Sequence, residues 1–211
     1  MGLVWTQSAP LWRVVTHLGS SSLLLPLFAL LLLGLWQAGH GRAARTWLCA
    51  VVVAAGLTLV SKILFMGWGI GIAMLDFTGV SGHSVLAASV FPVLLYWLLA
   101  PQPAARRHLG VVLGLLLAGV VAVSRVVLGA HSASEVVVAW CMGLLVSLLA
   151  VRAMPKVGAA PGWVRFTPLL LLFSLHTTTA TYLPSHSWEV RLSLALSGHA
   201  QPFTRQHLLS K

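Results

Sequence analysis

Residues 22–38, SLLLPLFALLLLGLWQA, form a run without a single charged side chain. Membrane spans need about 20 mostly apolar residues, because a helix rises 1.5 Å per residue across a hydrocarbon core of about 30 Å. Similar runs follow in the sequence, at 47–67, 83–100, 109–123 and 132–151, with a weaker sixth at 166–182. The sequence therefore predicts an all-α polytopic membrane helix bundle with five to six transmembrane helices.

The composition supports an integral membrane protein. Hydrophobic residues make up 58% of the 211 residues and charged residues only 8%, whereas soluble domains carry about 25% charge. High hydrophobicity excludes intrinsic disorder. Cys49 and Cys141 lie inside apolar runs, which argues against a disulfide scaffold.

A chain of this length is expected to form one domain, residues 1–211, with a core at 47–151 and a tail at 184–211. Leu3 to Leu18 mixes tryptophan and valine with Arg13 and His17. This mixture predicts an interfacial helix within residues 1–20, lying along the lipid headgroups. The fourth run is short for a span, so it must extend into Ser124 and Arg125.

The net charge of +10 comes from short basic clusters between the apolar runs, not from one block. This distribution argues against a nucleic-acid partner and fits the positive-inside rule. Three alternating loops carry the clusters and are expected to be cytoplasmic: Arg42 and Arg45; Arg106 and Arg107; Arg152, Lys156 and Arg165. We expect a bacterial inner (plasma) membrane protein with loops 68–82 and 126–131 on the outer, periplasmic side.

The side of the tail from Leu183 is left open by these patterns. It is outer if the run at 166–182 spans the membrane, but Arg191, Arg205 and Lys211 argue against that. The oligomeric state is also undetermined.

Ionisable residues at span ends are functional candidates, because burying them is costly. The alternating topology delivers six of them to the same side and depth: Lys62, Asp76, His83, Arg125, His131 and Glu135. Charged residues scattered at random among the helix ends would not all fall on one side of the membrane. Their convergence predicts a polar site at the outer membrane boundary.

Ser81-Gly82-His83 opens the third run. A helix start presents unpaired N–H groups and the positive end of the helix dipole, which suit an anion such as phosphate. Gly82 allows close backbone approach, and Ser81 adds a hydroxyl. The alternative is that Ser81 is only an N-cap and His83 an interfacial histidine.

Ser124-Arg125 precedes His131 and Glu135 at a more demanding spacing. His131 and Glu135 are four residues apart, so they can share one helix face. A carboxylate there can hold one imidazole nitrogen as N–H and leave the other nucleophilic. Arg125 offers a planar fork for phosphate oxygens. The alternative is an Arg125–Glu135 pair that seals two helix ends.

Lys62 either extends its amine to the headgroups or binds the same anion. Asp76 caps its turn or pairs with Lys62. With 3 acidic residues in the whole chain and no paired histidines or cysteine cluster, a metal site is not expected.

These residues resemble the type 2 phosphatidic acid phosphatase family, the membrane branch of a superfamily that includes vanadium haloperoxidases. Its first motif is Lys, six residues, then Arg-Pro; its second is Pro-Ser-Gly-His; its third is Ser-Arg, five residues, His, three residues, Asp. This chain supplies Lys62, then Val80 to His83, then Ser124-Arg125 with His131 and Glu135. It departs from the pattern at Gly69-Ile70, Val80 and Glu135.

The resemblance implies a membrane phosphatase that acts on phosphatidate, phosphatidylglycerol phosphate or a polyprenyl phosphate or pyrophosphate, with no cofactor or metal. It implies that His131, oriented by Glu135, is the nucleophile and that His83 is the general acid and base. The implied phosphate ligands are Lys62, Ser81, Gly82, Ser124 and Arg125. Because Gly69 replaces an arginine, fewer cations would face a highly charged pyrophosphate, which leaves a monophosphate substrate or an altered phosphate clamp as the alternatives. The alternatives are a non-catalytic lipid-phosphate-binding protein and a small transporter.

Overall fold

The computed structural model describes residues 3–154, 160–166 and 185–210. Its α-helices are α1 (Leu3–His17), α2 (Ser21–Gln37), α3 (Gly41–Trp68), α4 (Gly82–Leu98), α5 (Ala104–Val127), α6 (Ala133–Arg152), α7 (Ser185–Ser197) and α8 (Arg205–Leu209). Short 3-10 turns occupy Ala73–Leu75 and Gly162–Phe166. Within these ranges the chain forms no β-strand, only an isolated bridge between Ile72 and Phe77.

Helices α2 to α6 correspond to the first five predicted spans, which confirms the all-α membrane bundle. Within the part of the chain that the structure describes, four apolar helical segments are long enough to cross a membrane: Pro10–Gln37, Gly41–Trp68, Ala104–Val127 and Ala133–Arg152. Helix α4 is apolar but shorter. Helix α5 continues through Ser124 and Arg125, as predicted from the shortness of the fourth apolar run. Nearly all of the predicted sixth span, 166–182, lies outside the described residues.

Helix α4 forms the centre of the bundle, and most of its side chains are buried. It packs mainly against α5 and α6, which approach closely through glycines. A Cβ on Gly114 would lie 2.5 Å from the Cα of Pro92, and one on Gly143 would lie 2.5 Å from the Cβ of Ala88. Small residues therefore set the distances between helices, as is common in membrane bundles.

The up-and-down order brings one set of helix ends together at what we call the polar end of the bundle. Helices α3 and α5 end there, and α4 and α6 begin there. The turn between α1 and α2 lies there too, since a Cβ on Gly19 would be 3.2 Å from the Cβ of His83. At the opposite end, Trp163 packs against Gly34.

The described part of the tail lies at the polar end. Helix α7 packs against the last turns of α3, with the carbonyl of Ser193 close to Gly67. Beyond it, Leu208 of α8 is buried with Phe65 and Met66. Residues 185–210 therefore lie beside the predicted site.

Candidate active site

The start of α6 holds His131 and Glu135 together. His131 Nδ1 lies 2.7 Å from Glu135 Oε2. The carboxylate also accepts the backbone N–H of Ser132 at 3.1 Å, and the Ser132 hydroxyl accepts the N–H of Glu135 at 3.4 Å. This reciprocal capping box fixes the first turn of α6. Since an ionised carboxylate can only accept, this contact selects the tautomer of the neutral ring in which Nδ1 carries the proton and Nε2 keeps its lone pair.

Glu135 is fully buried, and its carboxylate is saturated with donors. The backbone N–H and the hydroxyl of Thr78 both donate to Oε1 at 2.6 Å. Arg205 Nη2 lies 3.0 Å from Oε1 and 2.9 Å from Oε2. A buried charge is tolerated only when it is paired and hydrogen-bonded in this way. The Arg125–Glu135 pair considered above is replaced by an Arg205–Glu135 pair.

His83, the second residue of α4, lies among the basic groups of the polar end. It interacts electrostatically with four basic side chains: Arg125, His131, Lys62 and His17. These groups come from α5, the loop before α6, α3 and α1. Because Glu135 is bound to His131, the structure brings five of the six convergent residues predicted from the sequence to one place, and the sixth is Asp76.

Arg125 lies in the last turn of α5, and its Nη1 donates to the Thr16 hydroxyl at 2.9 Å. Thr16 and His17 are the buried last residues of α1. The helix predicted to be interfacial thus contributes its C-terminal turn to the wall of the site. Sequence reasoning missed both residues, because nothing in their spacing relates them to Arg125 or His83.

The two serines are placed less favourably for a ligand than predicted. Ser81 and Ser124 are both fully buried. The Ser124 hydroxyl donates to the carbonyl of Val121, and the Ser81 hydroxyl accepts from Ser84 at 3.1 Å. Gly82, by contrast, borders open space: the nearest atom to an added Cβ is a methyl group of Thr58, 4.0 Å away. A side chain or a small ligand could therefore be accommodated beside Gly82 without displacing a neighbour.

Lys62 and Asp76 do not pair with each other. Lys62 Nζ lies 2.8 Å and 3.0 Å from the carboxylate oxygens of Glu189 in α7. Asp76 instead binds Arg205 Nη1 through its carboxylate and, at 3.2 Å, through its carbonyl. Burial lowers the pKa of Arg205, but the Glu135 and Asp76 carboxylates outweigh it and raise this pKa above its ordinary value.

All 3 acidic residues of the chain therefore lie at the polar end, each paired with a basic group. Sequence reasoning did not identify Thr78, Glu189 or Arg205 as members of the site. Only Glu189 could have been suspected from the sequence. It is one of only 3 acidic residues in the chain, and a carboxylate in an apolar protein needs a basic partner. Among the described residues, no group of three or more His, Cys, Asp or Glu side chains is arranged to hold a metal ion.

Comparison with known proteins agrees with these motifs. The model of the PAP2 superfamily matches residues 67–159, which include His83, Arg125, His131 and Glu135 but not Lys62. An "uncharacterized 22.5 kDa protein in cps region" of Klebsiella pneumoniae is 33% identical over 204 residues, 93% of this chain and 97% of that protein.

Phosphatidylglycerophosphatase B of Bacillus subtilis is 35% identical over 150 residues, 64% of this chain and 70% of that protein. No solved structure matches the chain significantly. The chain therefore belongs to the PAP2 superfamily, the phosphatase family that its motifs resemble, and it is a lipid phosphatase embedded in the membrane.

Proposed function

We propose that the protein removes the terminal phosphate of a lipid phosphate monoester, with phosphatidylglycerol phosphate as the first candidate, at the outer face of a bacterial inner membrane. Two observations support this substrate. One relative is named for phosphatidylglycerophosphatase activity, and Gly69 supplies no cation for a second phosphate group. The loops 68–82 and 126–131 at the polar end contain no Lys or Arg, and the positive-inside rule therefore favours the outer face for this end.

The observation that carries the mechanism is the His131–Glu135 contact. Glu135 holds Nδ1–H, so Nε2 attacks phosphorus, the bond from phosphorus to the lipid oxygen breaks, and a phosphohistidine forms. His83 gives its proton to the departing lipid oxygen. It then takes a proton from water, whose oxygen attacks phosphorus, and the P–N bond breaks to release inorganic phosphate and free His131.

Fixed charge at the polar end supports this transfer. Arg125, Lys62 and the N–H of Gly82 at the start of α4 neutralise and orient the nonbridging phosphate oxygens. Most of the catalytic effect in phosphoryl transfer comes from such positioning. We propose that the reaction needs no metal, because a nucleophile, an acid and cationic groups are all supplied by side chains.

The test is phosphate release in detergent with EDTA present, from phosphatidylglycerol phosphate, phosphatidate and a polyprenyl pyrophosphate. We expect turnover of the monophosphates, and loss of turnover in His131→Ala. The matched control is His108→Ala, because His108 is an exposed histidine near the start of α5, at the opposite end of the bundle. A phosphoenzyme trapped from labelled substrate should be acid-labile and absent from His131→Ala.

Three results would contradict the proposal. Turnover that survives His131→Ala but requires a divalent ion would reject the histidine mechanism. Lipid binding without turnover under any condition would identify a non-catalytic binding protein. Preference for the pyrophosphate would reject the monoester assignment.

A further inference from the structure

We propose that Arg205, from the C-terminal tail, is a positioning residue that holds Glu135 and thereby His131 in the reactive arrangement. This inference rests on the proposed role of His131 as nucleophile. Arg205 Nη2 contacts both carboxylate oxygens of Glu135, at 3.0 Å and 2.9 Å. Glu135 Oε2 is the same oxygen that binds His131 Nδ1. The guanidinium is thus one contact removed from the nucleophile.

A second carboxylate fixes the other end of the guanidinium. Nη1 binds the carboxylate and the carbonyl of Asp76, and Nη2 also lies 3.3 Å from the hydroxyl of Thr78. The fork therefore bridges the loop before α4 and the start of α6. A planar fork can serve two carboxylates in fixed directions, which a lysine ammonium cannot reproduce.

The backbone before Arg205 is anchored on the last turn of α3. The N–H of Phe203 donates to the carbonyl of Met66 at 2.9 Å. The Phe203 ring lies against Gly69, where an added Cβ would be 2.9 Å from the ring. Gly69 has φ 68°, a left-handed conformation that favours glycine. Gly69 thus makes room for the segment that carries Arg205, at the position where the first motif would place an arginine.

The position of Arg205 has one chemical consequence. It keeps the buried carboxylate of Glu135 aligned as the acceptor for His131 Nδ1–H. Loss of the guanidinium should therefore loosen both this carboxylate and the imidazole ring that the carboxylate orients.

The experiment measures kcat and KM for the full chain in detergent. For Arg205→Ala we expect kcat to fall by roughly 10-fold to 100-fold with a smaller change in KM, since the Glu135 carboxylate loses its support. Arg205→Lys retains the charge but not the planar fork, so its kcat should lie between those of the wild type and Arg205→Ala.

Arg191→Ala is the matched control, because Arg191 is an exposed arginine of the same tail whose guanidinium lies 5.8 Å from the centre of the Trp188 ring. It should leave kcat and KM unchanged. A wild-type kcat in Arg205→Ala would overturn the inference. If Arg205→Ala does not fold, Arg205→Lys decides: a wild-type kcat in that variant would overturn it. Turnover in His131→Ala would instead reject the proposed function, so the two failures are distinguishable.

Discussion

Lys62 Nζ on α3 lies 2.8 Å from Glu189 Oε1 on α7, although the two residues are 127 positions apart. The ammonium group that the family resemblance assigns to the substrate phosphate is therefore bound to a carboxylate of the tail. Both side chains are partly exposed, with 22% and 16% of their surfaces accessible. A phosphate that binds Lys62 must share this ammonium with Glu189 or displace it.

Removal of this carboxylate charge should tighten substrate binding. For Glu189→Gln we expect KM for a lipid phosphate to fall about two- to fivefold with little change in kcat, because a partly exposed ion pair contributes up to about 1 kcal/mol. The measurement is KM at low and high ionic strength, and the difference should shrink at high salt. Arg191→Gln, on the same helix, is the control. An increase in KM would show that Glu189 supports the substrate site instead of competing with it.

The length of the carboxylate arm at position 135 should matter as much as its charge. Glu135→Asp shortens the arm by one methylene, and a misplacement of about 1 Å near reacting atoms can cost about 100-fold in rate. Glu135→Gln keeps the length but removes the charge and the second acceptor oxygen, so we expect a loss of at least about 100-fold. Single-turnover phosphate release measures both variants. Full activity in Glu135→Asp would show that Thr78 and Arg205 adjust to the shorter residue.

The hydroxyl of Thr78 should contribute to both rate and stability. In Thr78→Val the shape is kept but the 2.6 Å donor to Glu135 Oε1 is lost. Oε1 keeps the Thr78 N–H and Arg205 Nη2 as donors, so the loss is that of one hydrogen bond to a charged group, which contributes about 1.5–3 kcal/mol. We therefore expect a lower melting temperature and about 10-fold lower kcat. Thr78→Ser retains the hydroxyl and is the control. Equal melting temperatures and rates for the two variants would exclude a role for this hydrogen bond.

Close packing of α5 against α4 should make Gly114 sensitive to any side chain. A Cβ in Gly114→Ala would lie 2.5 Å from the backbone of Pro92, and such overpacking costs about 1–3 kcal/mol. Gly56→Ala is the control, since a Cβ at Gly56 on α3 meets no atom within 4 Å. Thermal unfolding in detergent should show a lower midpoint for the first variant only. Equal midpoints would show that α5 can move away from α4 without loss.

The sequence by itself determined the apolar helices and the His131–Glu135 pair. Runs such as 22–38 identify membrane helices because the bilayer demands apolar length, which is a local property. Similarly, His131 and Glu135 are four residues apart, and this spacing predicts that the two side chains meet at a helix start. The structure shows their 2.7 Å contact, although His131 itself precedes the first residue of α6. The alternation of the spans was sufficient to bring His83 and Arg125 to the same end.

Only the tertiary structure decided which residues pair with the charged groups at the polar end. Arg205 reaches Glu135 across 70 positions, Lys62 reaches Glu189 across 127, and Arg125 reaches Thr16 across 109. No periodicity connects such residues, because their contacts depend on how α1 and the tail pack onto the bundle. The helices follow from hydrophobicity along the chain, whereas the partners of the buried charges follow from which polar side chains the packed helices bring within hydrogen-bond distance.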